Sequence, residues 1–229
     1  MSGPTPRARG RLLVFARLPE PGRTKTRLAP LLGPHGAAQL YRAFLDDTIA
    51  VARRVGGVDL ELWVEPREGA DRWFAERHGD LMLRYQPDGD LGARLEAAFA
   101  DAFADGADRA IALGSDHPTL PASYLARGFS TLRVLDLVLG PSPDGGYYAI
   151  GLHRRAWSRA PALFRGVPWS TSRVLRHTRE CATGLGLSRV ELPEWYDVDE
   201  PEVLERLSGD LAPDSHTARA LAHVLADRT

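Results

Sequence analysis

Cysteine is nearly absent: Cys181 is the only one in 229 residues. No disulfide can form within the chain, and a reducing cytoplasm is the expected compartment. No run is long and apolar enough to span a bilayer. The polar start, Met1 to Gly10, lacks the apolar core of a signal peptide and is expected to be a disordered tail before one domain, 11–229. An excess of one charge is missing too. With a formal net charge of −1, nothing points to a broad nucleic-acid surface. The chain has no Gly-x-Ser-x-Gly elbow, no Gly-x-Gly-x-x-Gly, no His-Glu-x-x-His and no cysteine cluster for zinc. Acyl transfer and zinc hydrolysis therefore lose their usual supports. No internal repeat or low-complexity tract is present, and nothing decides the oligomeric state.

What is there alternates. Short apolar runs at 11–16, 59–64, 81–85, 109–114, 135–139, 147–152 and 187–192 read as strands. Helical spacing fills about 36–55, 70–76, 91–104, 121–134, 172–182 and 216–226. Another helix is expected from Glu200. The pattern predicts one α/β domain with a mostly parallel central sheet and helices on both faces. Leu12, Val14, Ile111, Leu113, Val138 and Ile150 are expected to be buried. Ala218, Leu221, Ala222 and Leu225 are the expected apolar stripe of the last helix.

The chemistry-bearing residues follow strand ends, where open α/β sheets bind ligands. After the first strand, Arg17, Arg23, Lys25 and Arg27 crowd a loop broken by Pro19, Pro21 and Gly22. Arginine suits bidentate phosphate contacts and lysine a point charge, so the loop reads as a phosphate clamp or a solvated basic loop. The Walker spacing is absent. Gly114-Ser115-Asp116-His117-Pro118 ends the fourth strand. Asp116 either holds a divalent metal or caps the turn. Asp90 reads as a helix cap. Gly92 in the first turn implies close approach of a ligand or strand, and Arg94 faces the crevice or solvent.

Asp144-Gly145-Gly146 forms a flexible turn before a strand, read as a substrate-facing loop with Asp144 at its tip, against a plain hairpin. Trp169 stacks on a ring or packs in the core. Ser170 or Thr171 is the expected cap of the next helix, whose N-terminus could take an anion. Asp197 and Asp199 flank one valine. Asp199 with Glu202 outlines a capping box, and either aspartate could join Asp116 on a metal.

Taken together, the Lys25-Thr26-Arg27-Leu28 loop, Gly114-Ser115-Asp116-His117-Pro118, Asp144-Gly145-Gly146-Tyr147-Tyr148 and Asp197-Val198-Asp199-Glu200-Pro201 resemble the nucleotide-diphospho-sugar transferase superfamily with its GT-A, Rossmann-like fold. The chain most resembles the bacterial rSAM/selenodomain-associated transferases, described as arsenosugar-biosynthesis glycosyltransferases. It is more distantly similar to phospholactate guanylyltransferases. The resemblance spans about Arg11 to Leu207. It implies that Arg17, Arg23, Lys25 and Arg27 bind the nucleotide, and Gly92 and Arg94, read from their place after the third strand, are expected to join them. It implies Mg²⁺ or Mn²⁺ on Asp116 with Asp197 or Asp199. It implies that the acceptor, a small molecule, lies against Asp144, Gly145 and Gly146; Trp169, Ser170 and Thr171, read from the residues alone, are expected beside them. Asp116, Asp144 and Lys25 would carry the chemistry, with Asp144 activating the acceptor hydroxyl. Many glycosyltransferases of this fold carry Asp-x-Asp where this chain has Ser115-Asp116-His117. Three readings follow: transfer from a nucleotide sugar, nucleotidyl transfer with release of pyrophosphate, and an inactive nucleotide-binding module.

Overall fold

The computed structural model describes residues 10–226. The expected tail lies outside these residues except for Gly10, which opens the first strand. Seven strands form one sheet: β1 (Gly10–Ala16), β2 (Val58–Val64), β3 (Met82–Tyr85), β4 (Arg109–Gly114), β5 (Leu137–Pro141), β6 (Tyr147–His153) and β7 (Arg189–Glu191). Their order is β3-β2-β1-β4-β6-β5-β7. Only β6 runs antiparallel to its neighbours. The helices are α1 (Ala29–Arg53), α2 (Ala70–His78), α3 (Leu91–Ala104), α4 (Ala122–Thr131), α5 (Val174–Gly184), α6 (Val203–Asp210) and α7 (His216–Ala226). No helix among the described residues is long and apolar enough to cross a membrane.

β1 is central because it is an apolar run that buries both faces. Leu12 and Val14 point to one core with Leu62, Ile111, Leu113 and Val138. Leu13 points to the other with Trp63, Ala112, Leu139 and Ile150. All six expected core residues are fully or almost fully buried. The first core is closed by α1, α2 and α4, the second by α3 and α5. A third cluster joins the start of α1 to α6 and α7 through Leu28, Tyr41, Phe44, Val198 and Leu221.

Two local expectations are corrected, and α1 reaches back beyond its expected start near residue 36. α1 is broken at Gly33, whose φ of 70° and ψ of 161° are not helical, and Pro34 starts the long straight part. α7 buries Thr217, Leu221 and Val224, while Ala222 and Leu225 face solvent. Its rotation is set at the start, where Asp47 accepts from the amides of His216 (3.0 Å) and Thr217 (2.8 Å). α6 starts at Val203, three residues later than expected.

An ion pair between the buried Asp46 and the exposed Arg77 ties α1 to α2. Asp46 accepts from Arg77 Nε at 2.8 Å and lies 3.3 Å from His78 Nε2. Burial would raise the Asp46 carboxyl, but the Arg77 hydrogen bonds outweigh it and hold it at about 2. A depressed carboxylate stabilises the fold above its unfolded pKa near 4, and this is lost as pH falls toward 2. Asp46→Asn is therefore expected to cost on the order of 2 kcal/mol at pH 6. Urea midpoints should show the gap to wild type closing between pH 4 and pH 2. A gap independent of pH would contradict this.

The topology puts every motif at one edge. The loops after β1, β3, β4, β5 and β7 all leave the same side of the sheet, because those strands run in the same direction and β6 alone returns.

Candidate active site

The loop between β1 and α1 has no regular structure, and its shape comes from local bonds. Glu20 O accepts from the amides of Arg23 and Thr24, both at 3.1 Å. Thr24 Oγ1 donates to Leu18 O at 3.2 Å. Lys25 sits at a φ of +50°, left-handed territory that costs a residue with a side chain on the order of 1 kcal/mol. The turn drives its side chain inward, so only 3% of it is exposed. Leu28 anchors the far end in the third core cluster. Arg17, Arg23 and Arg27 stay exposed at the rim.

Lys25 Nζ lies 2.7 Å from Asp199 Oδ1 and 2.8 Å from Asp116 Oδ1. Asp116 and Asp199 thus come together, and the group joining them is an ammonium. The backbone explains how two distant segments align. Val198 N donates to Asp116 O at 3.1 Å, and His117 Nδ1 meets Tyr196 O at 3.0 Å. His117 must carry its proton on that nitrogen, since a carbonyl only accepts. Burial pushes the His117 imidazole below its ordinary value. Lys25 is deeply buried, which by itself would lower it, yet the two carboxylates keep it above the usual lysine range. Burial would raise Asp116, and Lys25 beside it holds it below the usual carboxylate range. Lys25 and Asp116 are therefore both charged at neutral pH.

The capping box at Asp199 does not form. Glu202 is the residue before α6, and no side chain caps that helix. Asp199 is instead committed to Lys25, with Arg27 Nη1 3.8 Å from its second oxygen. Asp197 does not reach Lys25. Burial and the charges of Asp144 and Asp199 raise its carboxyl.

The cavity so formed, about 210 Å³, is lined by Arg17, Arg23, Lys25, Arg27, Tyr41, Asp116 and Asp199. Tyr41 escapes sequence reading because its position fits the apolar stripe of α1. Its hydroxyl accepts from Arg17 N at 3.1 Å and contacts Ser115 Oγ at 2.8 Å, pinning the loop to the end of β4. A larger concavity of about 610 Å³ lies around Asp46 and Arg77. It holds none of the sequence motifs, so volume does not mark the chemistry here.

On the other side of the strand ends lies an apolar cavity of about 100 Å³, bordered by Phe15, Leu91, Leu95, Gly114 and Tyr147. Gly92 and Arg94 do not line the charged cavity. A Cβ on Gly92 would lie 2.1 Å from Phe164 O, so the close approach expected there is made by the protein itself. Arg94 donates to Gly89 O at 3.2 Å and Gln86 Oε1 at 3.1 Å, bracing the loop after β3.

The β5–β6 connection is a hairpin, and Asp144 stands exposed at its turn, accepting from Gly146 N at 2.8 Å. Gly145 has a φ of +85°, and a Cβ there would meet Ser172 O at 2.2 Å. Its carbonyl accepts from Leu175 N at 2.9 Å. The Asp144–Gly146 turn thus rests on the Ser170–Ser172 segment, and the residues expected on the acceptor side are neighbours. Trp169 meets Tyr147 edge-on at 6.4 Å. Ser170 and Thr171 are not the cap: α5 starts at Val174, and no side chain caps it. The N–H of Leu175 in its first turn is already taken by Gly145.

Among the described residues, no group of three or more His, Cys, Asp or Glu is gathered to hold a metal. Asp116 and Asp199 nonetheless supply two hard oxygen donors converging on one cation position. Asp116 Oδ1 is buried, and despite the close ammonium it lacks a well-directed hydrogen bond. This set fits Mg²⁺ or Mn²⁺ held by two carboxylates, with phosphates and water completing the shell.

The family described as "Uncharacterized protein conserved in bacteria (DUF2064)" matches residues 48–171. A "putative nucleotide-diphospho-sugar transferase" from Desulfovibrio desulfuricans G20 is 33% identical, with 96% of each chain covered and a TM-score of 0.88. CMP:2-keto-3-deoxy-manno-octonic acid synthetase complexed with CTP superposes with a TM-score of 0.57 at 13% identity, covering 87% of this chain and 97% of that one. Rv0371C from Mycobacterium tuberculosis H37Rv, in complex with manganese, gives 0.55 at 18% identity, covering 88% and 98%. These last two show the fold. No curated protein matches.

Proposed function

The chain belongs to the bacterial DUF2064 family, within the nucleotide-diphospho-sugar transferase superfamily, and we propose that it is a metal-dependent transferase acting on a nucleotide sugar. One observation carries this reading. A single cavity presents three exposed arginines around a lysine that joins two carboxylates from distant segments of the chain. That is the charge pattern a diphosphate and a divalent cation need. The rSAM/selenodomain-associated transferases remain the specific group the sequence motifs favour.

Arg17, Arg23 and Arg27 bind the diphosphate and offset the charge that grows on it as the donor bond breaks. Bound Mg²⁺ or Mn²⁺ would add Lewis-acid charge at the same oxygens. A protein of this fold crystallised with manganese is in keeping with that. Asp144, exposed and already oriented by Gly146, takes the proton of the acceptor hydroxyl. Trp169, Ser170 and Thr171 border the acceptor beside it.

A second reading, nucleotidyl transfer with release of pyrophosphate, is favoured by one observation. Asp116 has no carboxylate neighbour in Ser115-Asp116-His117: Ser115 is engaged by Tyr41, and His117 by the Tyr196 carbonyl. A thermal-shift screen of nucleotide sugars and nucleoside triphosphates with Mn²⁺ separates the two, followed by assays for nucleoside diphosphate and pyrophosphate release. A ligand bound only by the folded state raises the melting temperature. The first reading expects larger shifts with a nucleotide sugar than with the matching triphosphate, and no pyrophosphate. Pyrophosphate release would select the second, and no shift with either class would reject both.

A further inference from the structure

We propose that Lys25 is a built-in counter-cation: it holds Asp116 and Asp199 together in the nucleotide-free protein and exchanges for the divalent cation when phosphates arrive. The inference rests on the reading of the site given above and adds a rule to it, that metal and nucleotide strengthen each other's binding.

Three observations carry it. Nζ stands within 2.8 Å of both carboxylates, where a cation shared by them would sit. Two cations cannot occupy that position, so a metal seated on both aspartates must expel the ammonium. The fit of the ammonium is uneven. It makes a hydrogen bond of 2.7 Å to Asp199, while its 2.8 Å approach to the buried Asp116 Oδ1 is less well directed. Finally, Lys25 is the only lysine among 29 lysines and arginines. A flexible stem with a compact charge can swing between carboxylate and phosphate, which a planar guanidinium does less readily.

The coupling follows from charge. Without phosphate, Lys25 has nowhere anionic to go, and the metal must compete with it. A diphosphate offers Nζ a new partner and brings oxygens to the metal, so each ligand raises the affinity of the other by the same factor.

The uniqueness of Lys25 permits a test on the wild-type protein. Selective ¹³C labelling of lysine side chains gives one Cε resonance. Mg²⁺ alone is expected to leave it in place, and Mg²⁺ with inorganic pyrophosphate to move it. Calorimetry run in parallel reports whether pyrophosphate and Mg²⁺ bind. Binding with an unmoved resonance overturns the exchange while sparing the reading of the site; no binding overturns both. Lys25→Met provides the second arm, with Mn²⁺ followed by electron paramagnetic resonance in the absence of phosphate. Its Mn²⁺ affinity is expected to exceed wild type by roughly 5- to 150-fold, the usual range of coupling between sites. The gain should vanish in Lys25→Met/Asp116→Asn. A folded Lys25→Met protein with wild-type or weaker Mn²⁺ affinity contradicts the proposal, and the labelled wild type decides it if that variant does not fold.

Discussion

Asp116→Asn is expected to lose the Mn²⁺-dependent part of nucleotide binding, by on the order of 100-fold or more, and to melt close to wild type without ligand. Asparagine keeps the size of the side chain but removes the charge a hard cation seeks. Groups that merely orient a metal ligand are worth about 10- to 100-fold, and a direct ligand belongs at or above that range. The fold should tolerate the change because Lys25 keeps its 2.7 Å bond to Asp199, and the backbone contact from Val198 to Asp116 does not involve the altered atom. Asp199→Asn should behave alike. Since Asp199 caps no helix, Asp199→Ala should not carry the roughly 1 kcal/mol penalty of a lost cap beyond any effect of the broken ion pair. Thermal shift with and without Mn²⁺ checks both. An Asp116→Asn protein with undiminished metal-dependent binding would contradict the assignment.

The second large effect is expected from Arg17→Ala with Arg27→Ala. Hydrogen bonds to charged groups contribute about 1.5–3 kcal/mol each, so each loss should weaken nucleotide binding roughly 10- to 100-fold. Stability should barely move, because Arg27 is 66% exposed and its pairs with Glu200 and Asp199 are surface ion pairs. Lys25 is the wrong residue for such a test: it is buried, and removing it strands two carboxylates. Calorimetry on the double variant, with its melting temperature alongside, reads both quantities. Unchanged affinity would remove the loop from the phosphate site.

The sheet is legible in the sequence wherever burial on both faces forces a continuous apolar run, as in β1 and β4. The basic loop and the Asp-Gly-Gly turn are legible because prolines, glycines and cations fall at strand ends. What is hidden is what depends on partners far along the chain. Asp199 and Glu202 carry the local pattern of a capping box, yet Lys25, 174 residues away, claims the carboxylate. Gly92 does signal close approach, but only the structure shows Phe164 O as the group that approaches. Tyr41 fits its helix stripe equally well as a phenylalanine would, and its hydroxyl matters only once Arg17 and Ser115 meet it. The stripe of α7 is turned because Asp47, on another helix, sets where that helix begins. One signal lay open in the sequence. The chain has a single lysine, and it is the residue at the centre of the site.

One divalent cation is expected to be held by Asp116 and Asp199 while the arginines of the first loop hold the phosphates. Crystals grown with Mn²⁺ and the best nucleotide from the thermal-shift screen, measured for anomalous scattering, test it most directly. The account predicts a manganese peak between the two carboxylates, with Lys25 Nζ turned from them toward phosphate. A peak elsewhere, or a nucleotide bound with Lys25 still bridging Asp116 and Asp199, would contradict it.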